Sequence, residues 1–187
     1  QGNYNTERWA LSSYEIAKFL EDCGGKFHIE GFEYLDQVKD EPVVFISNHM
    51  GTLESMVFPG LIAPVKEVTF VVKDSLTSNP VFGPIMRARN PITVSRHDSR
   101  EDLLKVMEEG KKKLQEGTSV IIFPQSTRTT EFVPEKFNSL GVKLAKKAGV
   151  RVVPMAIKTD FWAIGKLIKD LGYPKRNEPI HIKFGAA

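Results

Sequence analysis

Seven short stretches rich in Val, Ile and Phe recur along this chain, and they constrain its fold more than any other feature. They are FHIEGF (27–32), PVVFIS (42–47), EVTFVV (67–72), PITVS (91–95), SVIIFP (119–124), RVVPMAI (151–157) and PIHIKFG (179–185). Several are apolar at consecutive positions. A strand with one wet face alternates, whereas a strand covered on both faces is apolar throughout, so these predict a parallel or mixed sheet buried between two layers. Helical patterns fall between them. SREDLLKVMEEGKKKLQEG places Leu103, Met107, Gly110 and Leu114 on one stripe, with a capping box from Ser99 to Asp102 and an end at Gly117. NSLGVKLAKKAG and DFWAIGKLIKDLG predict two more helices, each closing on a glycine, and SSYEIAKFLEDCGG predicts an N-terminal helix outside the sheet. Strands alternating with helices make an α/β domain flanked by helices on both faces. The 187 residues suffice for one such domain over 1–187, with 1–25 as its N-terminal helical segment.

Composition enters mainly by exclusion. Lys plus Arg is 26 against 23 for Asp plus Glu, a net charge of +3. That is too mild an excess to argue for nucleic acid, but it suits anionic small molecules or an anionic membrane surface. Cys23 is the one cysteine, which excludes an internal disulfide and a multi-cysteine metal site and makes a reducing compartment the simplest expectation. No run approaches the roughly 18 consecutive apolar residues of a membrane span. The opening QGNYNTERWALSSYEIAKFL lacks the features of a signal peptide. Because the chain opens without a methionine, an anchor ahead of Gln1 stays open as an expectation, and the closing HIKFGAA reads as a stopped chain.

In open α/β sheets, sites form beyond the carboxyl ends of the strands, and the polar clusters of this chain follow strands. VVFISNHMGTLES carries His49 and, five positions on, Glu54. On a regular helix that spacing separates two side chains by about 140°, so they meet only if His49 sits on the turn and Glu54 in the first helical turn. Thr52 or Ser47 is placed to cap such a helix. A carboxylate on one imidazole nitrogen fixes the tautomer and raises the basicity of the other. Spacing alone nevertheless favours a surface histidine beside an unrelated acid, and it does not fit a helical zinc site. FPQSTRTT follows the strand SVIIF and offers Ser126, Thr127, Arg128 and Thr129, a set of donors suited to an anionic phosphate. Arg96 ends NPITVSR just past another strand. Taken singly, each reads better as structure than as a site: a solvated arginine capping a helix, or a turn rich in Ser and Thr.

Taken together and in order, these pieces resemble the glycerolipid acyltransferase family of the lysophosphatidic acid type. The family's Asn-His-x4-Asp block is matched by NHMGTLE, with Glu54 for the usual Asp. Its block ending in arginine is matched by PITVSR. Its Phe-Pro-Glu-Gly-Thr-Arg-Ser block is matched by FPQSTRT, where Gln125 replaces the glutamate and Ser126 the glycine. Its proline-bearing apolar strand is matched by VRVVPMAI with Pro154. The four blocks run from His49 to Ile157. A glutamate in the first block also occurs in the lipid A acyltransferase branch of the wider superfamily.

The resemblance implies a glycerol-3-phosphate acyltransferase-like fold and transfer of a fatty acyl group to a lysophospholipid, most simply 1-acylglycerol 3-phosphate. It implies His49 as the base taking the acceptor's hydroxyl proton and Glu54 as its orienting acid. Arg96, Ser126, Thr127 and Arg128 would hold the phosphate. Asn48, Gly51, Thr52 and Gln125 would stand behind them, with amides near Gly51 and Thr52 as candidates for the oxyanion. The partners implied are an acyl-CoA or acyl carrier protein as co-substrate, the lyso-lipid and a membrane surface, with no cofactor, metal or nucleic acid. The place implied is the cytoplasmic face of a membrane, held peripherally. MVFPGLIAPV (56–65) is a candidate lining for the acyl chain, with core packing as the simpler reading. DFWAIGKLIKDLG is a candidate interfacial helix, with an ordinary amphipathic helix as its simpler reading. A different lyso-lipid or a lipid A-type sugar acceptor is the alternative within the same chemistry, and a non-catalytic lipid-binding module the alternative outside it. A serine hydrolase is disfavoured by the absence of a Gly-x-Ser-x-Gly elbow.

Overall fold

All seven apolar stretches become strands of one sheet. The computed structural model describes residues 4–80, 82–125, 127–165 and 172–187. The strands are β1 (Phe27–Glu30), β2 (Val44–Ser47), β3 (Val68–Lys73), β4 (Ile92–Val94), β5 (Ser119–Ile122), β6 (Val152–Lys158) and β7 (Ile180–Phe184). The helices are α1 (Thr6–Asp22), α2 (Glu33–Asp36), α3 (Leu53–Ile62), α4 (Asp74–Thr77), α5 (Gly83–Ala88), α6 (Ser99–Gln115) and α7 (Leu140–Ala148). The sheet order is β1-β7-β6-β2-β5-β3-β4. Neighbours from β6 to β4 are parallel, β7 runs antiparallel to β6, and β1 lies parallel to β7. The result is a single α/β domain with a mixed sheet flanked by helices.

The unbroken apolar runs are explained by this order. β2 and β5 lie at the centre with both faces covered. Phe45, Ile121 and Val153 pack on one face with Trp9 and Leu20 of α1 and Val57 and Phe58 of α3. Val44, Val120 and Ile122 pack on the other with Val106 and Leu114 of α6 and Leu144 of α7. Fully buried side chains of this size each stabilise the fold by about 1.5–3 kcal/mol. Ser13 ties α1 to α3: its Oγ accepts from the Gly60 amide at 2.8 Å and lies against the carbonyls of Met56 and Val57. A side chain at Gly60 would place Cβ 3.0 Å from that Oγ, so the glycine is what lets the two helices come this close.

Three helix expectations are corrected. The α6 cap is Asp98, whose carboxylate accepts from Arg100 and Glu101, and the face turned to the sheet is Val106, Gly110 and Leu114. Gly110 and Leu114 of the expected stripe are buried and Met107 packs against the core, but Leu103 is 37% exposed and Val106 takes the buried place in that part of the helix. Residues 160–165 are not helical. Phe161 is fully buried in a turn and Trp162 bridges to Pro174, so burial of the aromatics is met by a tight turn after β6. The remainder of the candidate interfacial helix, 166–171, lies outside the described residues. Among the described residues no helix is long and apolar enough to cross a membrane.

Candidate active site

The carboxyl end of β2 delivers Ser47, Asn48 and His49 in turn, each with a different task. Ser47 is buried and donates to the Asn48 carbonyl at 3.0 Å, so it does not cap α3. Thr52 occupies the cap position, but its side chain makes no capping bond. Asn48 reaches across to β6 with both ends of its amide: Nδ2 donates to the Ile157 carbonyl at 2.9 Å and Oδ1 accepts from the Ile157 amide at 2.8 Å. It therefore continues the β2–β6 pairing one residue past the end of β2.

His49 and Glu54 meet. His49 lies on the turn, Glu54 is the second residue of α3, and Nδ1 stands 2.8 Å from Oε1. The Glu54 side chain is wholly buried, so its charge depends on donors. Oε1 also accepts from the amides of Met50 at 2.7 Å and Gly51 at 2.8 Å, while Oε2 accepts from Thr159 Oγ1 at 2.8 Å. Burial alone would raise the pKa of this carboxyl. The hydrogen bond and charge of His49 and the Gly51 amide outweigh it, holding the group below the usual carboxylate range. An ionised carboxylate only accepts, so Nδ1 carries the proton and Nε2 keeps the lone pair of a base. The imidazole stacks on Phe123, centroids 4.1 Å apart and planes 17° apart, and Phe123 in turn stacks on Phe58 and Phe70. The ring is thus held by hydrogen bond at its edge and by packing on its face.

Gly51 supports the carboxylate, so its amide is already committed and does not serve the oxyanion as expected. Thr159 was not foreseen. It lies 105 positions from Glu54 and carries no motif signal beyond following the strand VRVVPMAI.

Arg96 sits in the left-handed region, φ 62°, a strained conformation for a residue with a side chain. Asp102 holds it there, accepting from the amides of Arg96 at 2.7 Å and Ser95 at 2.8 Å. Burial would raise the Asp102 pKa, but those two amides outweigh it and the carboxyl is held below its ordinary value. The Ser99–Asp102 spacing thus marks the anchor of the Arg96 turn and not a capping box.

His49, Arg96, Thr127 and Arg128 line one groove of about 950 Å³. Phe70, Val71, Val94, Leu103, Val106 and Leu140 supply apolar wall, and Lys73 and Lys143 add cations. Ser126 falls outside the described residues. Of the segment 56–65 only Met56 reaches the groove; Val57, Phe58, Pro59 and Ile62 are buried because α3 turns that face toward the core and α1. Gln125 is buried between the His49 turn and Thr129.

The acyltransferase family model matches residues 26–158, which include all four blocks. The chain belongs to the acyltransferase family. The chain is 30% identical over 134 residues to the 1-acyl-sn-glycerol-3-phosphate acyltransferase of Pseudomonas aeruginosa, covering 72% of this chain and 50% of that one. It is 33% identical over 134 residues to the chloroplastic 1-acyl-sn-glycerol-3-phosphate acyltransferase LPAT1 of Arabidopsis thaliana, covering 71% and 36%. The chain thus spans half the length, or less, of these curated relatives. Its fold is similar to the crystal structure of the 1-acyl-sn-glycerophosphate acyltransferase PlsC from Thermotoga maritima. The TM-score there is 0.70 over 97% of this chain and 67% of that chain, at 21% identity.

Proposed function

We propose that this acyltransferase moves a fatty acyl group from an acyl thioester, acyl-CoA or acyl carrier protein, to the free hydroxyl of 1-acylglycerol 3-phosphate, giving phosphatidic acid. The observation that carries the reading is the shared groove: His49, backed by the buried Glu54, and the two arginine loops line it beside an apolar wall. His49 Nε2 takes the hydroxyl proton while the acceptor oxygen attacks the thioester carbonyl. The C–S bond then breaks, and the imidazolium returns the proton to the leaving thiolate. Glu54 stabilises the imidazolium. No covalent enzyme intermediate is required, which agrees with Cys23 lying outside the groove lining. Arg96 and Arg128 hold the phosphate and so bring the hydroxyl to His49. The names of the similar proteins support this choice of acceptor.

The test is a labelled acyl donor offered to a panel of lyso-lipids, with products identified by mass. Phosphatidic acid is the expected product; turnover of neutral lyso-lipids alone would refute the assignment. Arg128→Ala is expected to raise the acceptor KM about tenfold or more with the donor KM within about twofold, the pattern of lost acceptor binding. Equal rises would count against its phosphate role.

The same proposal places the enzyme peripherally on the cytoplasmic face of a membrane. Supporting this, Leu11, Tyr14 and Phe19 of α1 are more than half exposed, a set of large side chains on the outer side of that helix. Cosedimentation with anionic vesicles is expected and should fall when these three are replaced by serine; recovery wholly in the supernatant of the parent protein would refute it.

A further inference from the structure

Gln125 is 4% exposed, and the two ends of its amide are spent on different loops. Oε1 lies 2.6 Å from the His49 amide nitrogen and Nε2 lies 2.7 Å from Thr129 Oγ1. Counting protons fixes both directions. A backbone N–H only donates, so the atom facing His49 is the carbonyl oxygen and the NH2 faces Thr129. Thr129 has one hydroxyl proton, which goes to the Glu131 carbonyl 2.7 Å away, so its oxygen must accept from residue 125. The Thr129 amide also donates to the His49 carbonyl at 3.0 Å. The backbone of His49 is therefore held on its N–H side and its C=O side by the segment that carries Arg128.

We propose that Gln125 is a positioning residue that sets the spacing between His49 and Arg128, and that this spacing requires an amide at position 125. The inference rests on the acyl-transfer reading above for its kinetic consequence and on geometry alone for the clamp. Glutamate, the residue the family pattern leads one to expect here, accepts from His49 but has no proton for Thr129. Thr129 would turn its own proton to the carboxylate and release the Glu131 carbonyl, loosening the chain one residue past Arg128. Glutamate would also bring a negative charge into the lining of a groove that carries the cations Lys73, Arg96, Arg128 and Lys143. Both effects fall on an anionic acceptor.

Gln125→Leu and Gln125→Glu test this with two readouts, because both variants nearly preserve side-chain volume. In steady-state assays with 1-acylglycerol 3-phosphate and acyl-CoA, each variant is expected to raise the acceptor KM about tenfold or more, with the donor KM within about twofold. Backbone amide hydrogen exchange needs no substrate. Gln125→Leu is expected to speed exchange at His49 and Thr129, and Gln125→Glu at Thr129 only. The Ile157 amide, held by Asn48, stays protected in both. Unchanged exchange at His49 and Thr129 in Gln125→Leu, loss of protection extending to Ile157, or equal rises in both KM values would overturn the proposal. A parent enzyme that acylates no phosphate-bearing acceptor would remove the functional reading instead, and the exchange pattern would still decide the clamp.

Discussion

His49→Ala is expected to lower kcat by about 10²–10⁴-fold, the usual contribution of a positioned general base. The variant should fold, because the side chain is a surface element of the groove, 12% exposed, and its removal does not strand the buried acid behind it. Glu54 keeps the amides of Met50 and Gly51 and the Thr159 hydroxyl as donors. The loss in stability is accordingly modest, about 1–2 kcal/mol from the lost stacking on Phe123 and the one lost hydrogen bond. Initial rates at saturating donor and acceptor, with circular dichroism as the folding control, check both halves. Parent-like transfer by a folded His49→Ala protein would remove the base from the mechanism.

Glu54 shows the opposite balance, with stability and activity falling together. Glu54→Ala leaves two buried amides and a buried hydroxyl without their acceptor and is expected to destabilise the fold by about 3–5 kcal/mol. Glu54→Gln retains the shape. Its oxygen can face His49, Met50 and Gly51 while its NH2 donates to Thr159, whose hydroxyl must turn to accept. It should cost less stability than alanine yet lower kcat by about 10²-fold or more, since a neutral amide does not stabilise the imidazolium.

The pH dependence separates charge from shape. The folded-state pKa of Glu54 is depressed, so its contribution to stability is present above the ordinary carboxylate value of 4.5 and lost as pH falls through the depressed one. The stability gap between the parent and Glu54→Gln should therefore be full near neutral pH and shrink as the pH is taken progressively below 4.5. Urea unfolding at neutral pH and through the acid range measures it. A gap that does not change with pH would show that Glu54 acts through packing alone.

These expectations rest on features that differ in how visible they were along the chain. The central strands were legible because burial on both faces leaves a local mark, four or more apolar residues in a row, as in VVFI and VIIF. α7 was legible for a similar reason: Gly149 at φ 72° ends it where the residue pattern said it should. The DFWAIG segment misled because its aromatics are apolar at a spacing that suits a helix, while the chain buries Phe161 in a turn. For α6, the Ser99–Asp102 spacing was seen but its purpose was not. A carboxylate in the first turn can reach back to any nearby amide, and here it chose those of Ser95 and Arg96.

At the site, the sequence by itself determined which groups are available: a histidine, an acid and two arginines, each just past an apolar strand. Only the tertiary structure decided that the histidine and the arginines share one groove and that the acid is buried and ionised behind the histidine. The physical reason is register. Residue patterns report on neighbours a few positions away, whereas Thr159, which completes the donors on Glu54, and Ile157, which holds Asn48, lie 105 and 109 positions along the chain from them. The parallel pairing of β2 with β6, Ser47 beside Met155, carries Ile157 to Asn48 and Thr159 to Glu54. A spacing of five between His49 and Glu54 left their meeting open, and the two amides on Oε1, with a threonine just past β6 holding Oε2, settled it.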